Sequence, residues 1–131
     1  MFKNIAALLF LVILLCGCSA KYKHLDDFLS GKVNADIHYV KEGFQSTYRN
    51  IVDISDRCIK EQWDDAYIRS DLYTDIRKGE IIFYVEGGIV AYIEIKEKGD
   101  NDSVVKIYCY SGKYIKPETI KKWASGLSVC R

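Results

Sequence analysis

Cysteine has the widest range of possible chemistry in this sequence, because a thiol can be acylated, form a disulfide, bind a metal or act as a nucleophile. The chain contains five cysteines among its 131 residues. Cys16 and Cys18 directly follow a run of apolar residues near the N-terminus, whereas Cys58, Cys109 and Cys130 are widely spaced in the remainder. The two groups therefore need separate explanations.

The N-terminal segment has the pattern of a secretory signal peptide. Lys3 precedes an unbroken apolar run over residues 5–15, which suits the apolar region of a signal peptide and is shorter than the ~20 residues needed to span a bilayer. The alternative is an uncleaved transmembrane anchor, but Lys21 and Lys23 follow too closely for the run to be extended. We therefore expect residues 1–17 to be removed on export.

Residues Leu15-Cys16-Gly17-Cys18 resemble the lipobox of bacterial lipoproteins, with an apolar residue three positions before the cysteine and a small residue at the cut. The resemblance implies that Cys18 becomes the mature N-terminus and carries two or three fatty-acyl chains, palmitate among them, which would hold the protein stably at a membrane. Ser19 stands where an aspartate is associated with retention in the inner membrane. The resemblance thus favours the outer membrane, with the domain facing the periplasm or the cell surface.

Composition limits the mature chain to one small domain without a charge bias. Removal of residues 1–17 from 131 leaves 114 residues and takes away one of the 19 basic side chains, so 18 basic and 18 acidic side chains remain. A single core suits this length. Without a basic run or stripe, the electrostatic basis for nucleic-acid binding is missing.

Two amphipathic helices are predicted from apolar residues at three- and four-residue spacing. The first covers residues 46–62 and places Cys58 on its buried side. The second covers residues 117–126, where Pro117 suits the first turn and Gly126 the end.

Strands are predicted over residues 66–73 and, as a three-stranded meander, over residues 80–110. This order indicates an α+β fold with an antiparallel sheet of about four strands and both helices on one face. Residues 18–43 are interpreted as the lipidated N-terminus and a tether, with one possible strand over residues 33–40. Residues 44–131 would then form the folded domain.

The meander's register follows from keeping apolar side chains on one face. A three-residue loop over residues 86–88 is predicted at the first turn, and it aligns Ile81, Phe83 and Val85 with Ile93, Ala91 and Ile89. A five-residue loop over residues 98–102 pairs Ile95 with Val105, Ile93 with Ile107, and Ala91 with Cys109. On the other face the same register pairs Glu94 with Lys106 and Tyr92 with Tyr108, which are favourable cross-strand neighbours.

The remaining cysteines indicate one disulfide, because an exported chain meets an oxidising compartment. A bridge between Cys58 and Cys130 is favoured, since Cys109 points into the predicted core; pairing with Cys109 and the absence of a bridge are the alternatives. Residues 71–75 and 123–126, together with Cys58 and Cys130, resemble small uncharacterised lipoproteins of the Gram-negative envelope. This resemblance supports the disulfide and implies no catalytic activity.

The outward face of the meander is a possible partner surface, because it is expected to gather six large side chains: Ile82, Tyr84, Val90, Tyr92, Tyr108 and Tyr110. Tyrosine combines apolar area with a hydrogen-bonding tip, which suits recognition of an envelope protein or self-association. Alternatively, residues 33–40 or a loop cover this face, or the tyrosines are simply good strand formers.

We expect no enzymatic activity, no cofactor and no metal site, and interpret the protein as a binding lipoprotein. The alternative is a periplasmic hydrolase with paired carboxylates from Asp64, Asp65, Asp71 and Asp75; a purely structural envelope protein is a third class. His24 and His38 have no ligand partners at metal spacing. The sequence Asp100-Asn101-Asp102 begins like a calcium loop but lacks its glycine and distal glutamate, so a hairpin turn is predicted there.

Overall fold

The computed structural model describes residues 22–31, 33–110 and 113–131. The predictions for residues 1–17 and for Cys18 lie outside these ranges. The helices and strands follow in the order α1 (Leu25–Ser30), β1 (Ala35–Val40), α2 (Phe44–Gln62), β2 (Ala66–Tyr73), β3 (Lys78–Val85), β4 (Gly88–Lys98), β5 (Asp102–Cys109) and α3 (Pro117–Ala124). Within the described ranges, no helix is both long enough and apolar enough to cross a membrane.

The α+β class is confirmed, with five strands and three helices in the described part where about four strands and two helices were predicted. The strands form one antiparallel sheet in the order β1-β5-β4-β3-β2. The possible strand in the predicted tether is β1, which pairs with β5 at one edge of the sheet. The segment before residue 44 therefore contributes to the fold instead of only linking it to the N-terminus.

Helices α2 and α3 both pack on one face of the sheet and form the main core there. Burying each large aliphatic side chain in such a core contributes about 1.5–3 kcal/mol. The edge of the Trp123 indole meets the Phe83 ring at 6.2 Å between centroids. The fully or almost fully buried core residues include Ile51, Cys58, Ile59, Ile81, Phe83, Ile93, Ile95, Val105, Ile107, Ile120, Trp123 and Ala124.

One polar contact lies inside this core. The hydroxyl groups of Thr47 on α2 and Ser103 on β5 are 2.9 Å apart, and both residues are fully buried. Each hydroxyl satisfies the other, which avoids the cost of an unpaired buried polar group. The pair fixes where α2 sits along β5.

The second hairpin has the predicted register, including Ile95 opposite Val105 and Tyr92 opposite Tyr108. The first hairpin differs. Its turn contains two residues, Glu86 and Gly87, both with positive φ (52° and 77°), as in the turns whose twist matches that of paired strands.

That turn places Val85 opposite Gly88, whereas Phe83 still lies opposite Ala91 as predicted. A bulge between the two pairs leaves Val90 as the extra residue of β4. Val90 therefore packs in the main core, and Ile89 lies on the other face. The predicted outward position of Val90 was wrong because a tight turn plus a bulge replaces the expected three-residue loop.

The other face of the sheet is covered at one end by the residues before β1. Phe28 of α1 is fully buried against Ile82, Ile89 and Tyr92. The Tyr22 carbonyl accepts a hydrogen bond of 2.7 Å from the Ile89 amide, which fixes the chain to the first turn of the meander. The α1 segment, residues 22–31, thus forms a small second core.

Replacing Phe28 with alanine should remove the centre of this second core. We expect Phe28→Ala to lower the free energy of unfolding by about 3–5 kcal/mol, the usual cost of deleting a buried aromatic ring, as measured by urea denaturation. The matched control is Leu29→Ala, because Leu29 is its neighbour on α1 and is 38% exposed. Equal small effects of the two substitutions would contradict the packing described here.

Candidate functional site

A cleft of about 500 Å³ lies between the end of α2, residues 113–116 before α3, and residues 130 and 131. Its volume lies within the range of small-molecule sites in proteins. Buried Ile59, Ile115 and Trp123 supply its apolar floor. We call this cavity the cleft.

One wall of the cleft is aromatic. The half-buried Trp63, directly after α2, and Tyr114 have ring centroids 6.1 Å apart at an angle of 60°. The Lys113 ammonium lies 5.3 Å from the centroid of the Tyr114 ring, within range of a cation–π interaction. This wall therefore brings two aromatic rings and a positive charge to the cleft.

The rim of the cleft is more basic than acidic. Lys113, Lys116 and Arg131 line it together with Glu61, and all four residues are exposed. Amine and guanidinium groups above an apolar floor suit a ligand with an anionic head and an apolar part.

The other wall is formed by Cys130 and Arg131. The segment that contains them, residues 127–131, is fixed to α2 by the predicted disulfide between Cys58 and Cys130. The Gln62 side-chain amide donates to the Cys130 carbonyl at 2.6 Å, and the Trp123 indole N–H donates to the Val129 carbonyl at 2.5 Å. The Arg57 guanidinium also donates to the Ser128 hydroxyl. The disulfide prediction is confirmed, and the bridge holds a wall of the cleft.

The predicted partner surface does not form one free patch. Ile82 and Tyr92 are buried beneath α1, and Tyr84 and Tyr108 pack beside them half-buried. Tyr110 remains 37% exposed, with its ring edge-on to Tyr22 at 5.7 Å between centroids. Val90 packs in the main core instead, as described above. The cover comes mainly from α1 and Tyr22, and Val33, the first residue of the segment 33–40 that the sequence suggested as a cover, also packs against it.

The same face becomes charged towards the β2–β3 turn. Lys78 forms ion pairs with Glu80 at 2.7 Å and with Glu94 at 3.4 Å, and its hydrogen bond with Glu80 raises the pKa of its ammonium group. The Tyr92 hydroxyl donates to Glu80 at 3.1 Å. Burial, followed by the nearby Glu80 carboxylate, raises the pKa of Tyr92 well above its usual range. Tyr92 therefore stays protonated and joins the apolar and charged halves of this face.

The aspartates proposed for hydrolysis lie apart. Asp64 and Asp65 are exposed in the link between α2 and β2, whereas Asp75 is exposed in the turn at the far end of β2. Asp71 pairs with Arg69 at 3.5 Å. At about 3.3 Å per residue, the eight residues of β2 separate the two groups by roughly 26 Å.

The hairpin turn predicted over residues 98–102 is present but tighter, because Lys98 and Asp102 still pair and residues 99–101 join β4 and β5. His24 is exposed immediately before α1, and His38 lies half-buried on β1. Across residues 22–31, 33–110 and 113–131, no group of three or more His, Cys, Asp or Glu side chains is arranged to hold a metal ion.

Cys109 is the free cysteine of the described part and is half-buried at the end of β5. Burial, with a smaller contribution from the Asp36 carboxylate, raises the pKa of its thiol from 9.0 to about 12. A thiol with so high a pKa is a poor nucleophile at neutral pH, because the thiolate is the reactive form.

No protein-family model matches this sequence, and no curated protein matches it significantly. The fold therefore defines the chain only as an α+β domain with an antiparallel sheet. Sequence reasoning missed the cleft because its residues come from three separate segments. One signal was available: the chain has two tryptophans, and both Trp63 and Trp123 line the cleft.

The reactivity of Cys109 should depend steeply on pH. At pH 8 we expect iodoacetamide to modify the native protein roughly a hundredfold to a thousandfold more slowly than the urea-unfolded chain, because the raised pKa leaves little thiolate. Peptide mass spectrometry would measure the rates, and equal rates for the two states would contradict the assignment.

The raised pKa of Cys109 also makes the free energy of unfolding depend on pH. The protonated thiol's contribution to that free energy is fully present below about pH 9 and is lost as the pH rises towards 12. In urea unfolding at alkaline pH, Cys109→Ala should lack that part of the loss of stability.

Removing the disulfide should destabilise the fold and loosen one wall of the cleft. The bridge joins residues 72 positions apart, so the chain-entropy estimate of its contribution is about 4 kcal/mol. We expect the double variant Cys58→Ala/Cys130→Ala to lose about this much in urea unfolding. Cys109→Ala is the control that removes a thiol but keeps the bridge. A double variant as stable as this control would show that the bridge does not stabilise the fold.

Proposed function

We propose that the protein is a membrane-anchored envelope lipoprotein whose domain acts by binding a ligand in the cleft, without enzymatic activity. The observation that carries the proposal is the cleft itself, with its apolar floor, aromatic wall and basic rim. The tyrosine-rich face is a weaker candidate, because α1 covers much of it within the same chain.

The anchor in this proposal is Cys18, acylated by two or three chains and placed in the outer membrane, with the domain facing the periplasm or the cell surface. The lipobox-like residues and the short apolar run before them support it. The described fold also begins close by, since Tyr22 is already hydrogen-bonded to β4. The folded body needs no other attachment to remain at the membrane.

The side chains of the cleft favour binding over catalysis. Its cysteine, Cys130, is held in a disulfide, so it supplies no thiolate. Its carboxylate side chain, Glu61, is exposed on the rim, whereas hydrolysis by carboxylates uses a pair with separated pKa values. Aromatic rings and flexible cationic side chains, in contrast, are common contacts for an amphiphilic ligand.

Replacing the acylated cysteine tests the anchor directly. Cells fed labelled palmitate should incorporate it into the wild-type protein, and Cys18→Ser should abolish incorporation because serine offers no thiol to take the diacylglyceryl group. Mass spectrometry of the N-terminal peptide provides a second measurement. Cys16→Ser is the matched control, since this cysteine lies in the leader and would leave with it. Labelled Cys18→Ser protein, or an unmodified wild-type terminus, would refute the anchor.

A further inference from the structure

The cleft and the N-terminal attachment lie at the same end of the sheet. The turn between β3 and β4 marks this end, and the Glu86 amide there donates to the Asp65 carbonyl at 2.8 Å. Asp65 follows Trp63 of the cleft wall by two residues. On the opposite face, the Ile89 amide beside the same turn donates to the Tyr22 carbonyl.

The segment that carries Lys113 and Tyr114 of the aromatic wall reaches this end as well. The Tyr110 amide donates to the Val90 carbonyl at 2.8 Å, next to the same turn. From Tyr110 to Lys113 the chain advances three residues, which span at most about 11 Å. The Tyr110 ring also meets that of Tyr22. The aromatic wall and basic rim therefore stand close to where the chain enters the fold.

The distance from this end to the anchor is limited by covalent geometry. Cys18 precedes Tyr22 by four residues, and four extended residues span at most about 14 Å. If Cys18 carries fatty-acyl chains inserted in a bilayer, Tyr22 is held within that distance of the headgroup region. The end of the domain that holds the cleft is then the end nearest the membrane.

We infer that the cleft binds the anionic headgroup of a phospholipid of the membrane that anchors the protein; this inference rests on the proposed acylation of Cys18. Lys113, Lys116 and Arg131 would contact the phosphate, since ammonium and guanidinium groups form charge-assisted hydrogen bonds with phosphate oxygens. Trp63 and Tyr114 are of the residue types enriched at membrane–water interfaces. The floor at Ile115 and Trp123 would receive the glycerol and the first methylenes.

The two tryptophans make occupancy of the cleft measurable. Trp63 is half-buried in the wall and Trp123 is almost fully buried in the floor, so displacement of water by lipid should shift mainly the emission of Trp63. The experiment uses the mature acylated protein, beginning at Cys18, reconstituted into vesicles of phosphatidylcholine alone or with increasing fractions of phosphatidylglycerol. Flotation with the vesicles is measured first and reports on the anchor separately.

The expected result is a blue shift that grows with the phosphatidylglycerol fraction and saturates, and Trp63→Phe should remove most of it. Lys113→Gln/Lys116→Gln should raise the fraction needed for half the shift about tenfold or more, because two charge-assisted contacts are lost. Lys41→Gln/Lys122→Gln is the matched control. It removes the same charge from two exposed lysines outside the cleft and should leave the shift unchanged.

Three results would overturn the inference: equal shifts with phosphatidylcholine alone, the same saturating shift when inorganic phosphate is added to phosphatidylcholine vesicles, or no shift at all.

Protein that fails to float would refute the proposed anchor instead. In that case dihexanoyl phosphatidylglycerol, which is soluble as a monomer, is titrated against the same variants. A saturable shift that depends on Lys113 and Lys116 would then retain the cleft as a phospholipid site, and its absence would reject it.

Discussion

The central strands β3 and β4 carry apolar side chains on both faces where they meet in the Glu86-Gly87 turn, and this constraint governs the fold. An antiparallel sheet with one wet face alternates apolar and polar residues, but this end of the sheet buries Phe83 on one side and Ile82 on the other. Both faces therefore need a cover. Helices α2 and α3 cover one, and the short α1 segment with Phe28 covers the other.

Covering the second face fixes the N-terminal part of the chain. Because the Tyr22 carbonyl bonds to β4 and Phe28 fills the second core, the chain is committed to the fold a few residues after Cys18. A long flexible tether would let the domain turn freely above a membrane, whereas a short one restricts which end faces it. If Cys18 is acylated as proposed, the packing of α1 links a local requirement of the sheet to the orientation of the domain at the membrane.

The disulfide has a comparable role on the helical face. It joins Cys58 of α2 to Cys130 across 72 positions. The side chains of Arg57, Gln62 and Trp123 form hydrogen bonds with residues 128–130. These contacts hold that segment in place as a wall and leave the space between it and Tyr114 open. The disulfide restrains one wall of the cleft before any ligand is bound, and such preorganisation lowers the entropic cost of binding.

Local patterns in the sequence were enough for the two longer helices, the meander and most of its register, because periodicity and cross-strand pairing are set by neighbouring side chains. The Cys58–Cys130 bridge also followed from the burial expected of Cys109. The tertiary structure alone decided the position of Val90, since the Glu86-Gly87 turn and its bulge exchange the faces of Ile89 and Val90. It alone showed that α1 covers much of the tyrosine-rich face and that Trp63, Tyr114 and Trp123 share a cleft. Such contacts join residues far apart in sequence, and no periodic pattern records which distant segments will meet.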